Sequence, residues 1–403
     1  MHFLYNTAIR IFALALPFLS LLNKKWNKFY RGRKNQRAPR FKTSPVWVHC
    51  ASLGEFEQGR PVIEAIKKEF PGIPLVLTFF SPSGYEIRKD YPFADWVAYL
   101  PLDTPSKAAG FVDHIRPRLA IFVKYEYWFN HLLALEKADV PFVFIANVWR
   151  RHYFPLKPWA AWFLQVIRKG SCFFAQDQLT MDLLSEKGFE RVVQAGDTRI
   201  DRVLQLVENK KILPEVEKWK GSKTTLIAGS TWPSDERLIA GFLERHPEIT
   251  LILAPHEPSP SRIEDIRKGF AEFLPIRYSE WKGEDARVIV VDSMGLLNAL
   301  YAYGDAAYIG GGFGRGIHNT LEAAVYGIPV FFGPRHQNFK EAIDLIGLGL
   351  AFEVNTVNEL VQQWEQIVPS ELPRIKGQVR DYFDQNRGAT AKIIDYLRPL
   401  IQH

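Results

Sequence analysis

Ile309-Gly310-Gly311-Gly312-Phe313-Gly314-Arg315-Gly316-Ile317-His318-Asn319-Thr320-Leu321-Glu322-Ala323-Ala324 reads as the end of a buried strand, a glycine-rich turn and the start of a helix. The apolar run 306–309 leads into it, and Gly327 stops the helix expected over 319–326. Glycines let backbone amides approach a phosphate, and a helix start adds the positive end of a dipole. As a dinucleotide fingerprint the stretch is poor. It holds no clean G-x-G-x-x-G, and the next apolar run, 329–332, ends without a ribose-binding acid. Glu322 instead lies one helical turn in, where a carboxylate takes two ribose hydroxyls. A mononucleotide fits better.

Outward from this stretch the same rhythm repeats. Runs rich in Val, Ile and Phe at 226–228, 251–254, 288–291, 329–332 and 350–352 alternate with helical stretches such as 235–245. The earlier half gives runs at 46–50, 75–80, 96–100, 119–123, 142–146, 172–175 and 192–195, with helical patterns at 60–70, 105–114 and 180–187 between them. Strand and helix in alternation argue parallel sheets wrapped by helices. Between the halves the pattern yields to a Lys- and Glu-rich stretch, ENKKILPEVEKWKGS, the expected interdomain connection. The expected organisation is 1–42 a hydrophobic anchor and basic segment, 43–207 an N-terminal Rossmann-like domain, 208–222 a linker and 223–403 a second Rossmann-like domain with C-terminal helices. Two such α/β halves facing a cleft are the GT-B arrangement of many nucleotide-sugar enzymes. The helical patterns at 375–383 and 390–400 are open as to which half they join.

The net charge of +7 is local. Ten Lys and Arg residues and no acid precede Glu55, so the rest of the chain is net negative. A nucleic-acid-binding body would spread its basicity over a face of the fold, and this chain does not. The apolar run 11–22 (IFALALPFLSLL) stands just ahead of the basic cluster at 24–42. The order is wrong for a cleaved signal peptide, whose basic residues come first. A span obeying the positive-inside rule and an interfacial helix with its cationic tail on anionic lipid both fit. Either anchor leaves the catalytic body on the cytoplasmic side. Cys50 and Cys172 supply neither a disulfide framework nor a metal pair, and read as small residues in apolar strands.

In parallel α/β sheets ligands sit at the carboxyl ends of strands, so the residues after each run are informative. After the first run comes Ser52-Leu53-Gly54-Glu55, and Glu55 either complements a helix dipole or faces the site as a general base. Glu57 reads as a solvated helix residue. Lys124-Tyr125-Glu126-Tyr127-Trp128 is either an ion pair covering the sheet edge or a functional loop. Arg199 meets an anion, or pairs with Asp197 or Asp201. In the second half Gly229–Thr231 with Trp232, Pro255 with His256, and Asp292 to Gly295 all follow apolar runs. No Asp-x-Asp, P-loop, His-x-x-x-His or Gly-x-Ser-x-Gly is present. A leaving nucleotide is then expected to be stabilised by protein dipoles and cations.

Taken together, SLGE at 52–55, TFFSPSGYE at 78–86, YLPLD at 99–103, the Glu126–Trp128 segment, GST at 229–231, DSMG at 292–295, the glycine-rich stretch and GPRHQNF at 333–339 resemble the 3-deoxy-D-manno-octulosonic acid (Kdo) transferases that act on lipid A precursors. The resemblance runs over nearly the whole chain. It implies a GT-B fold and inverting, metal-independent transfer of Kdo from CMP-Kdo to the lipid A precursor at the inner membrane, without a cofactor. It places the general base at Glu55 and transition-state support at Glu126 and Arg199. The CMP contacts it implies are Pro255, His256, Met294, Gly295, Leu296, Asn319, Thr320, Leu321 and Glu322, with no metal ligands. The chain departs from the family pattern at Lys124, Phe129, Arg199, Glu257 and Leu296. A nucleotide-sugar epimerase of the same architecture and a non-catalytic CMP-sugar-binding subunit are the competing classes. The first has no need of an anchor, the second none of Glu55.

Overall fold

The computed structural model describes residues 1–209, 211–367 and 370–402. These divide into two compact units, Met1–Asp201 together with the chain from Asn386 onward, and Arg202–Gln385. Each unit is built on one parallel sheet.

In the first, β1 (Val46–Cys50), β2 (Leu75–Phe79), β3 (Trp96–Tyr99), β4 (Leu119–Val123), β5 (Phe142–Asn147), β6 (Cys172–Ala175) and β7 (Val192–Gln194) lie in the order β3-β2-β1-β4-β5-β6-β7. In the second, β8 (Thr225–Thr231), β9 (Thr250–Pro255), β10 (Ile276–Arg277), β11 (Val288–Val290), β12 (Ala306–Ile309), β13 (Val330–Phe332) and β14 (Ala351–Glu353) lie in the order β10-β11-β9-β8-β12-β13-β14. Central strands such as β1, β2, β4 and β9 are buried at every residue. That is why they read as continuous apolar runs and not as alternating ones: helices cover both faces of the sheet. Two short elements depart from expectation. β10 carries only Ile276 and Arg277, too little for a run, and the helix expected over 319–326 is confined to Leu321–Ala324.

The domain boundaries differ from those expected. The helix Ala389–Gln402 leaves the second unit and joins the first, where Ile393, Ile394, Leu397 and Ile401 complete the core beneath β1, β2 and α3 (Leu53–Glu69). Asp201 fixes its start, accepting hydrogen bonds from the Gly388 and Thr390 amides at 2.6 Å each. Of the expected linker 208–222, in which residue 210 lies outside the described residues, the helix Pro214–Lys220 buries Val216 and Trp219 in the second unit.

The N-terminal helix α1 (His2–Leu19) is long and apolar enough to cross a membrane. Together with α2 (Lys24–Asn35) it forms a hairpin laid against the first unit. Leu16, Phe29 and Leu102 bury together, flanked by Phe12, Trp26 and Phe80. Tyr5 donates to Asp103 at 2.6 Å, and Asn130 donates to Asn6 at 2.8 Å. The opposite face of the hairpin leaves Phe3, Leu4, Ile11, Leu14, Phe18, Leu21 and Leu22 exposed. The basic segment is not uniformly solvent-facing either. Arg33 turns inward, donating to the carbonyls of Phe29, Leu100 and Phe80, with its guanidinium 3.7 Å from the Phe29 ring centre. These bonds make the cation a bolt between α2 and the sheet edge, withdrawn from any membrane-facing set, and burial pulls it down to about 9.

Candidate active site

The first unit gathers its polar side chains where β1 and β4, neighbours in the sheet, end. Ser52 precedes α3 in extended backbone, and its hydroxyl donates to the Glu55 carboxylate in the first helical turn. This contact occupies one oxygen of Glu55 and ties the side chain to its own helix start. Glu57, one step on, pairs with Arg88 and Arg60 at the surface. Past β4 the chain turns sharply, with Lys124 at φ 63°, a left-handed conformation uncommon outside glycine and frequent where strain serves a site. Glu126 follows, and its Oε2 accepts from Trp128 Nε1 at 2.8 Å and lies 3.1 Å from His49 Nε2. Glu126 is thus held by groups that reach up from β1 and from its own loop. Glu55 and Glu126 together press on the buried Cys50 thiol, which burial first and these carboxylates second push well above its ordinary value.

Arg199 lies in the first turn of the helix Thr198–Glu208 that follows β7 and closes on Asp197, with Nη2 2.6 Å from Oδ2 and the backbone amide 2.9 Å from Oδ1. Burial opposes the Asp197 charge, yet Arg199 and Lys124 hold its carboxyl below the usual range. Lys124 thus acts on the β7 end from the β4 loop. Of the two carboxylates open to Arg199, Asp201 is committed to the C-terminal helix and Asp197 takes the guanidinium.

The second unit brings four strand ends side by side, those of β11, β9, β8 and β12. They carry, in turn, Met294–Leu296, Pro255 and His256, Trp232, and the glycine-rich stretch with Asn319–Glu322. Gly312 packs directly on Gly333 after β13. Asp235, from the helix Pro233–Arg245, pins the loop from below. Its carboxylate accepts from the Gly311 amide and the Trp232 amide at 2.9 Å and from the Tyr308 hydroxyl at 3.1 Å. Burial pushes its carboxyl up despite these bonds. Asn319 bridges the helix start, donating to Glu322 at 3.0 Å and accepting from the Leu321 amide at 3.2 Å. Thr320 is fully buried, and its hydroxyl has no partner among the described residues. Met294 is among the exposed apolar side chains, and Gly295 has φ 89°.

Two residues outside the expected set shape this edge. His256 is stacked between Trp232, at 4.9 Å, and His318, at 4.4 Å. Burial first and the adjacent His256 second pull His318 down to about 4, and burial lowers His256 as well. Both shifts favour the uncharged imidazole, which offers a stacking and hydrogen-bonding surface at this edge. Sequence reading also passed over His49, Trp128 and Asp235 as site residues. One signal was present: His49 and Thr78 are polar residues inside runs that are otherwise apolar, and a buried polar group needs a partner. Among the described residues no group of three or more His, Cys, Asp or Glu side chains is gathered as metal ligands.

Residues 24–202 match the family model described as 3-deoxy-D-manno-octulosonic-acid transferase (kdotransferase). The 3-deoxy-D-manno-octulosonic acid transferase of Haemophilus influenzae is 28% identical across all of this chain and 99% of its own length. The transferase of the same name from Aquifex aeolicus is also 28% identical, over 80% of this chain and 86% of its own. Among solved structures, UDP-GlcNAc 2-epimerase from Neisseria meningitidis aligns over 89% of this chain and all of its own with a TM-score of 0.62. At 16% identity that likeness is one of fold, the pair of Rossmann-like units of GT-B enzymes.

Proposed function

We propose that the chain, similar to the Kdo transferases, is a glycosyltransferase that transfers Kdo from CMP-Kdo to a lipid A precursor with inversion and without a metal ion. The observation that carries this reading is the pair Glu55 and Glu126 at adjacent strand ends of the unit that the family model matches. In the step proposed, Glu55 takes the proton from an acceptor hydroxyl as its oxygen bonds to the anomeric carbon. The bond from that carbon to the CMP phosphate breaks on the opposite face, and CMP leaves with the electron pair. One base and one departing nucleotide need no enzyme nucleophile. Glu126 supports positive charge developing on the sugar ring, and Asp197 orients Arg199 toward the anions of the reaction. Pro255, His256, Met294–Leu296 and Asn319–Glu322 receive the CMP, with the glycine-rich amides at its phosphate. An epimerase reading has only fold likeness behind it.

Incubating the purified chain with CMP-Kdo and a tetra-acylated lipid A precursor tests the proposal directly. Kdo-bearing product is expected, with the same rate in EDTA as in magnesium. No product sinks the reading, and a large loss in EDTA sinks its metal-free part.

We also infer that the chain sits on the cytoplasmic surface of the inner membrane through α1 as an interfacial helix. Support comes from the docked face: Tyr5 and Asn6 hydrogen-bond into the first unit, which a bilayer-crossing helix cannot do while surrounded by lipid. The outward apolar face and the exposed cations Lys24, Lys25 and Arg31 then meet acyl chains and anionic headgroups. Each large apolar side chain buried contributes about 1.5–3 kcal/mol. F18E/L21E is therefore expected to abolish flotation with anionic vesicles while leaving the melting temperature within a few degrees of wild type. Full retention on vesicles would overturn the interfacial assignment.

A further inference from the structure

We propose that His49 is a positioning residue for Glu126, fixed in the tautomer with its hydrogen on Nε2 by a hydrogen-bonded line from Trp47 through Thr78. This rests on the reading of Glu126 as a carboxylate of the reaction site. The line is buried from one end to the other: Trp47, His49 and Thr78 are all 0% exposed. In register, His49 on β1 stands beside Thr78 on β2.

Donor and acceptor capacities, taken with the distances, favour one arrangement. Trp47 Nε1 is a donor only, and it meets Thr78 Oγ1 at 2.8 Å. That contact uses a lone pair of Thr78 and leaves its hydroxyl hydrogen to be given away. His49 Nδ1 lies 2.9 Å from the same oxygen, whereas the other acceptor in range, the Val48 carbonyl, is at 3.5 Å. The hydroxyl hydrogen therefore goes to a bare Nδ1. At the far side of the ring, Nε2 faces Glu126 Oε2 at 3.1 Å and Trp128 Nε1 at 3.0 Å. Trp128 has one hydrogen, which reaches both Nε2 at 3.0 Å and Glu126 Oε2 at 2.8 Å, and the charged oxygen at the shorter distance takes it. With the hydrogen on Nε2, His49 and Trp128 both donate to the carboxylate and no lone pair is turned against it. With the hydrogen on Nδ1, the ring donates instead to the Thr78 carbonyl at 3.1 Å, and a bare nitrogen confronts Oε2.

Two donors on one oxygen fix both the position and the plane of the carboxylate, so Oε1 is the atom through which Glu126 meets the substrate. Phe80 closes the assembly, its ring 4.6 Å from that of Trp128. A displacement of about 1 Å at a reacting group costs on the order of 100-fold in rate, which sets the scale of what this buried line protects.

The substitution that isolates the effect is Thr78→Val, which touches neither substrate nor Glu126. It removes the hydroxyl and lets His49 move its hydrogen to Nδ1, toward the backbone carbonyl of residue 78. Two readouts are taken on the full chain: nitrogen chemical shifts of labelled histidine, and steady-state transfer of Kdo. Wild type is expected to show His49 with Nε2 protonated and Nδ1 bare. T78V is expected to shift that signature and to lower kcat by roughly 10- to 100-fold, with KM for both substrates within about twofold. Thr78→Ser, which keeps the hydroxyl, should recover most of the loss. A wild-type His49 protonated on Nδ1 overturns the inference, as does a T78V variant with unchanged kcat. If wild type transfers no Kdo, the functional reading has failed, and the nitrogen shifts still decide the tautomer. If E126Q keeps full rate, the role of Glu126 has failed separately.

Discussion

Glu55→Gln is expected to lower Kdo transfer by about 10²- to 10⁴-fold with CMP affinity unchanged, the range over which a positioned general base contributes. Glutamine keeps the size of the side chain and still accepts the Ser52 hydroxyl, so α3 retains its first turn. What it loses is the capacity to take a proton. In the proposal CMP is read by the second unit, whose residues are untouched. Single-turnover rates at saturating CMP-Kdo, with CMP titration as the binding control, separate the two. Glu57→Gln is the matched comparison two residues on. Its carboxylate pairs with Arg88 at 2.8 Å on the surface, and an exposed pair contributes about 0–1 kcal/mol. Equal rates for E55Q and wild type would remove Glu55 from the mechanism.

Gly312→Ala is expected to cost donor binding at least 100-fold and to lower the melting temperature of the chain. A Cβ at 312 would lie 2.5–2.7 Å from the backbone of Gly333, atoms that belong to the end of β13 and cannot rotate away. Gly310 is even more confined, its would-be Cβ pressed against the Ser230 carbonyl oxygen and 2.6 Å from Thr231 Cα. The loop is thus clasped between two neighbouring strand ends, and relief requires moving backbone. Overpacking of this kind costs about 1–3 kcal/mol in stability. The larger loss is in function, because the amides proposed to meet the phosphate ride on the displaced segment. Calorimetric titration with CMP and a thermal melt report the two effects. Wild-type affinity in G312A would place the phosphate elsewhere.

The strand ends bearing Glu55, Glu126, Arg199, His256 and Asn319–Glu322 were legible as positions, because fully buried parallel strands announce themselves as apolar runs. Their roles were less so. Glu55 alone reads equally well as a carboxylate at a helix start, and the structure keeps that feature through Ser52 while adding the neighbouring β4 loop. Arg199 had three partners open to it, and only tertiary geometry showed Asp197 taken and Asp201 spent on the C-terminal helix. His318 and Trp232 stood in the quoted strand-end stretches, but their stacking on His256 joins residues 62 and 24 positions away, beyond any local pattern.

Composition and periodicity by themselves determined the alternation of strands and helices, the two-unit organisation, the glycine-rich turn after β12 and the crowding of charge ahead of Glu55. These are local properties, written at spacings that a helix or strand must repeat. Tertiary structure alone decided that Arg33 leaves the basic segment to bond carbonyls at the ends of β2 and β3, and that the last helix returns to the first unit. It alone assembled Trp47, Thr78, His49 and Glu126 into one line. The physical reason is the same in each case. An amphipathic pattern fixes which face is buried, whereas the partner it is buried against is chosen by packing and hydrogen-bond satisfaction among residues far apart in the chain.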